Sequence, residues 1–96
     1  MFVKKIKAAV EDWARQYPQV ELSVIEAYPS GIGENVHVII VAQKGFENWR
    51  QLARQKDLEA FLRKRLGDAE SAKIPLLLTL TEEEFDRYEI TKPVGY

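Results

Sequence analysis

Cysteine is missing from all 96 residues of this chain, and histidine occurs once, at His37. The first absence removes disulfides, thiolate-ligated zinc, iron–sulfur clusters and thiol catalysis. The second removes the usual zinc sites, which need three or four protein ligands. An excess of one charge is lacking too: 14 basic residues face 15 acidic ones, a net charge of −1. That balance gives no overall attraction to nucleic acid or anionic lipid. Apolar runs stay short, as in Val38 to Ala42, where a membrane span needs about 20 residues. The basic start, Met1 to Lys7, meets Glu11 and Asp12 rather than the apolar core of a signal peptide. These absences predict a cytoplasmic domain without membrane contact, cofactor or metal.

What is present is ordinary for a globular chain, with 46% hydrophobic and 30% charged residues. It predicts a single domain over 1–96. Phe2, Ile6, Ala9, Val10, Trp13 and Tyr17 recur at helical spacing, so residues 2–17 are expected to form a helix that Pro18 stops. Val20, Leu22 and Val24 alternate with polar residues, which predicts a strand over 20–28. Tyr28 to Asn35 holds proline, serine and two glycines and is a turn. Val36 to Ala42 is a second strand, antiparallel to the first. Residues 46–66 are helical, with Trp49, Leu52, Ala53, Phe61, Leu62 and Leu66 as the apolar stripe and Gly67 as the stop. Arg54 to Asp57 interrupts that stripe, and Asp57 could cap a second helix there. Ile74 to Leu80 is a third strand. Thr81-Glu82-Glu83-Glu84 has the pattern of a capping box and predicts a short helix over 82–88. The expected class is therefore α+β, in the order α-β-β-α-β-α. Strands two and three lie parallel across a helical crossover in a three-stranded mixed sheet, and helices cover one face.

Such a sheet needs one apolar face, yet strand two has two. Val36, Val38, Ile40 and Ala42 form one side, and Ile39 and Val41 the other, beside His37. Strand three alternates Ile74, Leu76, Leu78 and Leu80 against Leu77 and Thr79. The second face then carries Ile25, Ile39, Val41 and Leu77, a patch of the kind that contacts something. One reading folds the last segment, through Phe85, Tyr88, Ile90 and Val94, back over it. The others give it to a partner protein, a second copy of the chain or a small-molecule pocket.

The remaining constellations point away from chemistry. No serine or carboxylate stands at a motif spacing from His37, so it is a strand residue beside a loop rather than a base. Gly31-Ile32-Gly33 lacks the Gly-Lys-Ser/Thr of a phosphate loop. Glu82, Glu83, Glu84 and Asp86 diverge around a helix start, where a hard cation wants converging oxygens. Arg50, Arg54, Lys56, Arg63, Lys64 and Arg65 cluster in one helical region, with Arg50 and Arg54 on one helix face, and are candidates for phosphate contacts. Acidic residues interleave them, at Glu47, Asp57 and Glu59.

Over residues 36–84 the chain resembles the BolA family. The hydrophobic strand Val36 to Val41 runs into Gly45-Phe46-Glu47, similar to that family's Phe-x-Gly turn with Asn48 in place of glycine. Arg54-Gln55-Lys56 falls at its Arg-His-Arg, and Ile74-Pro75-Leu76-Leu77 at its Ile-His-Ala-Leu. The resemblance implies a small α+β fold related to the type II KH domain. It also implies iron–sulfur handling beside monothiol glutaredoxins through histidines. Gln55 and Pro75 stand at those histidine positions, so the resemblance implies a scaffold without the metal role. It brings no Gly-x-x-Gly RNA clamp.

The sequence therefore predicts a non-catalytic adaptor or regulatory domain working through protein contacts at Ile25, Ile39, Val41 and Leu77. The alternative is a nucleic-acid-binding module of KH-like type using Arg50, Arg54 and Lys56.

Overall fold

A computed structural model describes residues 2–91, with side chains through residue 88. Helix α1 spans Phe2–Arg15 and is followed by strands β1 (Glu21–Pro29) and β2 (Val36–Lys44). Helix α2 covers Gln51–Leu66 and the one-turn α3 Asp68–Ser71. Strand β3 (Leu76–Thr81) runs directly into α4 (Glu82–Thr91). The sheet order is β1-β2-β3, antiparallel between β1 and β2 and parallel between β2 and β3. The α+β class and the mixed sheet are those the periodicity predicts; the one-turn α3 is an addition.

The apolar stripe of α1 buries Ile6, Ala9, Val10 and Trp13 against the sheet. Helix α2 buries Leu62 of the expected stripe and packs Phe61 and Leu66 against the core, but it adds Arg54 and Leu58 to that face and leaves Ala53 exposed and Leu52 64% exposed. Asp57 starts no new helix, because α2 is continuous through it. Gly67 ends α2 with a φ of 90°, and its N–H donates to the Arg63 carbonyl at 2.9 Å. Together α1 and α2 cover Val36, Val38, Ile40 and Ala42, with Phe46 sealing one end. Gly45 makes this end compact. Its φ is 100°, and a Cβ there would stand 2.6 Å from the Gln19 carbonyl oxygen and the Val20 Cα. Only glycine permits that approach.

The other face is covered as well. Helix α4 sets Phe85 and Tyr88 against a second cluster of Ile39, Val41 and Leu80, flanked by Val24, Tyr28 and Leu78. Of the alternatives for this face, the last segment folds back over it. Ile90 and Val94, named for the same covering, lie outside the described side chains. The capping box forms in full. The Glu84 N–H donates to Thr81 Oγ1 at 3.0 Å, and the Thr81 N–H to Glu84 Oε1 at 2.8 Å. That turn aims α4 back across the sheet, because it starts the helix on the last residue of β3.

Candidate functional site

The four residues expected to form one apolar patch lie on two faces. Ile39 and Val41 are buried, at 2% and 1% exposure, beneath α4. Ile25 and Leu77 pack on the opposite side, under α1 and α2. A β-bulge explains Ile25. Leu22 pairs with Ala42 and Val24 with Val41, so Ser23 is an extra residue in β1 and everything after it changes face. For Leu77 the reason is register: it pairs with Val38, and Thr79 with Ile40, which phases β3 opposite to the expectation.

The nucleic-acid alternative loses its central residue. Arg54 is 2% exposed and spends its donors inside the protein. Its Nη1 donates to the carbonyls of Phe46 at 3.0 Å and Trp49 at 2.7 Å. Its Nε and Nη2 donate to the Thr79 carbonyl at 3.1 and 2.7 Å. Nη2 also meets the Glu84 carboxylate, and the guanidinium lies 4.8 Å from the centre of the Phe46 ring. A guanidinium so enclosed cannot reach a phosphate. Arg50, just ahead of α2, and Lys56, on it, are exposed. Burial pushes the Glu84 carboxyl up, but the Thr81 N–H and the Arg54 guanidinium outweigh it and hold it below its ordinary value.

Arg54 and its neighbours close one edge of the sheet at Thr79 and Thr81. Thr79 belongs to β3, the strand at one margin. Its outer carbonyl takes Arg54 and, at 3.4 Å, Gln51 Nε2; its outer N–H donates to Gln55 Oε1 at 3.1 Å. Two residues on, the Thr81 N–H is held by Glu84. Side chains of α2 and α4 thus occupy groups that another strand would need. Gln55 owes its position to this contact, and Pro75 is exposed just ahead of β3.

The opposite margin is β1, and it is built differently. The Ser30 N–H donates to the Asn35 carbonyl at 2.9 Å, and the Val36 N–H turns away to Lys73 at 2.8 Å. Antiparallel pairs alternate, so Tyr28, Glu26 and Val24 exchange hydrogen bonds with β2. The N–H and C=O of Ile25 and Ala27 then point outward. Among the described residues no side chain or strand bonds to them. Pro29 falls where a third outward N–H would be and has none to offer. Between the two outward residues stands Glu26, half-buried on the α4 side and without an ion pair among the described residues. Sequence reasoning missed this edge. The signal for it was Pro29, tolerated in a strand only at an edge or an end.

Two further polar centres are half-buried. Asp57 accepts Trp13 Nε1 at 2.8 Å and the Tyr17 hydroxyl, beside rings of Trp49 and Phe46. The bond to Asp57, then burial, push the Tyr17 phenol from 10.0 up to about 12. His37 stacks edge-on with Tyr28, ring centres 5.6 Å apart. Among the described residues no three potential metal ligands converge, and no helix is long and apolar enough to cross a membrane. Compared with known proteins, the chain matches no family model, no curated protein and no solved structure.

Proposed function

We propose that this chain is a non-catalytic interaction domain, an adaptor or regulatory module, that binds a protein partner by accepting a strand at the β1 edge. The observation that carries the reading is the unequal treatment of the two margins. Arg54, Gln51, Gln55 and Glu84 occupy outer groups of Thr79 and Thr81 in β3, while among the described residues nothing bonds to the outward groups of Ile25 and of Ala27. Open edges are a liability that folds ordinarily suppress, and strand addition is the recognition mode that uses one. The contact is thereby moved from the apolar face, where α4 covers Ile39 and Val41, to the backbone of β1. The BolA-like kinship belongs to this proposal on the residues quoted for it.

The test uses a random peptide library displayed on phage and selected on the immobilised chain. Selected peptides should shift and protect the amide resonances of Ile25 and Ala27. They should lose binding to Ala27→Pro, which removes an outward N–H and leaves the ladder to β2 in place. Peptides whose resonance changes map away from β1 would refute the reading.

A further inference from the structure

Resting on that reading, we infer that the strand received at β1 carries a lysine or arginine facing Glu26, with an apolar residue two positions along. The backbone fixes the geometry. A strand bonded antiparallel to Ile25 and Ala27 places one of its residues directly opposite Glu26, in a pair that exchanges no hydrogen bonds. In such pairs the Cα atoms are about 4.5 Å apart and the side chains are at their closest. Among the described residues Glu26 has no cation, whereas Glu21, the other acidic residue of β1, has Lys44 at 3.6 Å. Two residues back, Val24 lies half-buried on the same face at the margin of the Ile39, Val41 and Leu80 cluster. An apolar side chain opposite Val24 extends that cluster, and a cation opposite Glu26 neutralises it.

The same geometry argues against a second copy as the occupant. Two β1 strands related by a two-fold axis use all four outward groups only if Ile25 of each faces Ala27 of the other. That register sets Glu26 against its own counterpart, and like charges directly opposite are destabilising. Shifting it to spare the carboxylates brings in Pro29 on one side or the Ser23 bulge on the other, and hydrogen bonds are lost.

The experiment repeats the selection on the wild-type chain and on Glu26→Lys, whose substituted side chain is off the α1–α2 core. Wild type should enrich Lys or Arg at one position with an apolar residue two away. The Glu26→Lys chain should enrich Asp or Glu there instead. Exchanging Lys for Glu in one selected peptide should weaken binding to wild type roughly fivefold to tenfold and strengthen it to Glu26→Lys. Peptides that need Ala27 but are indifferent to the sign at residue 26 overturn this inference and leave the edge reading intact. Peptides indifferent to Ala27→Pro, in a variant shown by circular dichroism to be folded, overturn both. A dimer in sedimentation that Ala27→Pro dissolves assigns the edge to a second copy and also overturns the inference. Should Ala27→Pro fail to fold, the charge exchange at residue 26 decides it alone.

Discussion

Replacing Arg54 tests the account of the closed margin most directly. In Arg54→Met the alkyl stem is approximately kept and the guanidinium is gone. The Phe46 and Trp49 carbonyls lose their Nη1 donor, and the Thr79 carbonyl keeps only Gln51 at 3.4 Å. Glu84, one-third exposed, loses its cation but keeps the Thr81 N–H and access to water. Breaking a buried ion pair from one side costs about 3–5 kcal/mol. Small domains have about 5–15 kcal/mol in total, so the variant should remain folded with little reserve. At about 4–8 °C per kcal/mol for a chain of this size, the melting temperature should fall by about 12 °C or more. Urea unfolding followed by Trp13 and Trp49 fluorescence gives the free energy, since both rings lie beside Phe46. Arg54→Lys should lose roughly half as much, because one ammonium cannot hold the Phe46, Trp49 and Thr79 carbonyls together. A double-mutant cycle with Glu84→Gln should show a coupling of at least about 1 kcal/mol. If Arg54→Met unfolds within about 1 kcal/mol of wild type at unchanged slope, the guanidinium is not the fastener described.

Glu84 titrates below its ordinary value when folded, so its share of stability is whole above pH 4.5 and disappears as pH falls through the folded value. Glu84→Gln should therefore flatten the acid limb of the urea-midpoint profile. For Tyr17 the sign is opposite: its share is whole below pH 10.0 and is lost as pH rises through about 12. Tyr17 should ionise late in an ultraviolet titration, and Asp57→Asn should bring it back toward 10.0. Gly45→Ala should cost about 3 kcal/mol in urea unfolding, because its Cβ meets backbone at 2.6 Å; Gly31→Ala, with open space at φ 91°, should cost only the left-handed strain of about 1 kcal/mol. Ile39→Glu, on the apolar-patch reading, would leave the fold intact. Beneath Phe85 and Tyr88 it places an unpaired charge in a cluster, and urea unfolding should show a loss of about 3 kcal/mol or more.

Element order was legible because periodicity reports which residues must leave water. The stripe of α1, the turn at Ser30 to Asn35 and the capping box at Thr81 and Glu84 are local signals, and each appears where its chemistry places it. Facing was less legible. Strand β3 is apolar through Leu76, Leu77 and Leu78, so alternation has no phase there, and the parallel register to β2 decides it. In β1 the bulge at Ser23 depends on the partner strand, and no residue type announces it. Arg54 was misjudged as a surface cation for a different reason. It stands four residues before Leu58 and eight before Leu62, on the buried stripe of α2. Helical spacing therefore held the signal, but a charge at a core position makes sense only once Glu84 and three carbonyls are brought round it. The open margin of β1 is a statement about which groups lack partners, and only the assembled sheet can make it.

The fastening of Thr79 also limits how far copies of this protein can be stacked. An endless ribbon of sheets requires every member to present two receptive margins, one for the neighbour ahead and one for the neighbour behind. Here one margin is stoppered from within by Arg54 and Gln55. Copies of this chain could therefore meet through their sheets only β1 to β1, and a pair so formed would not be extended across Thr79. On this account Arg54→Met does more than loosen a fold: by unstoppering Thr79 it turns a dead end into a through route, and fibre formation is the hazard to watch for in that variant.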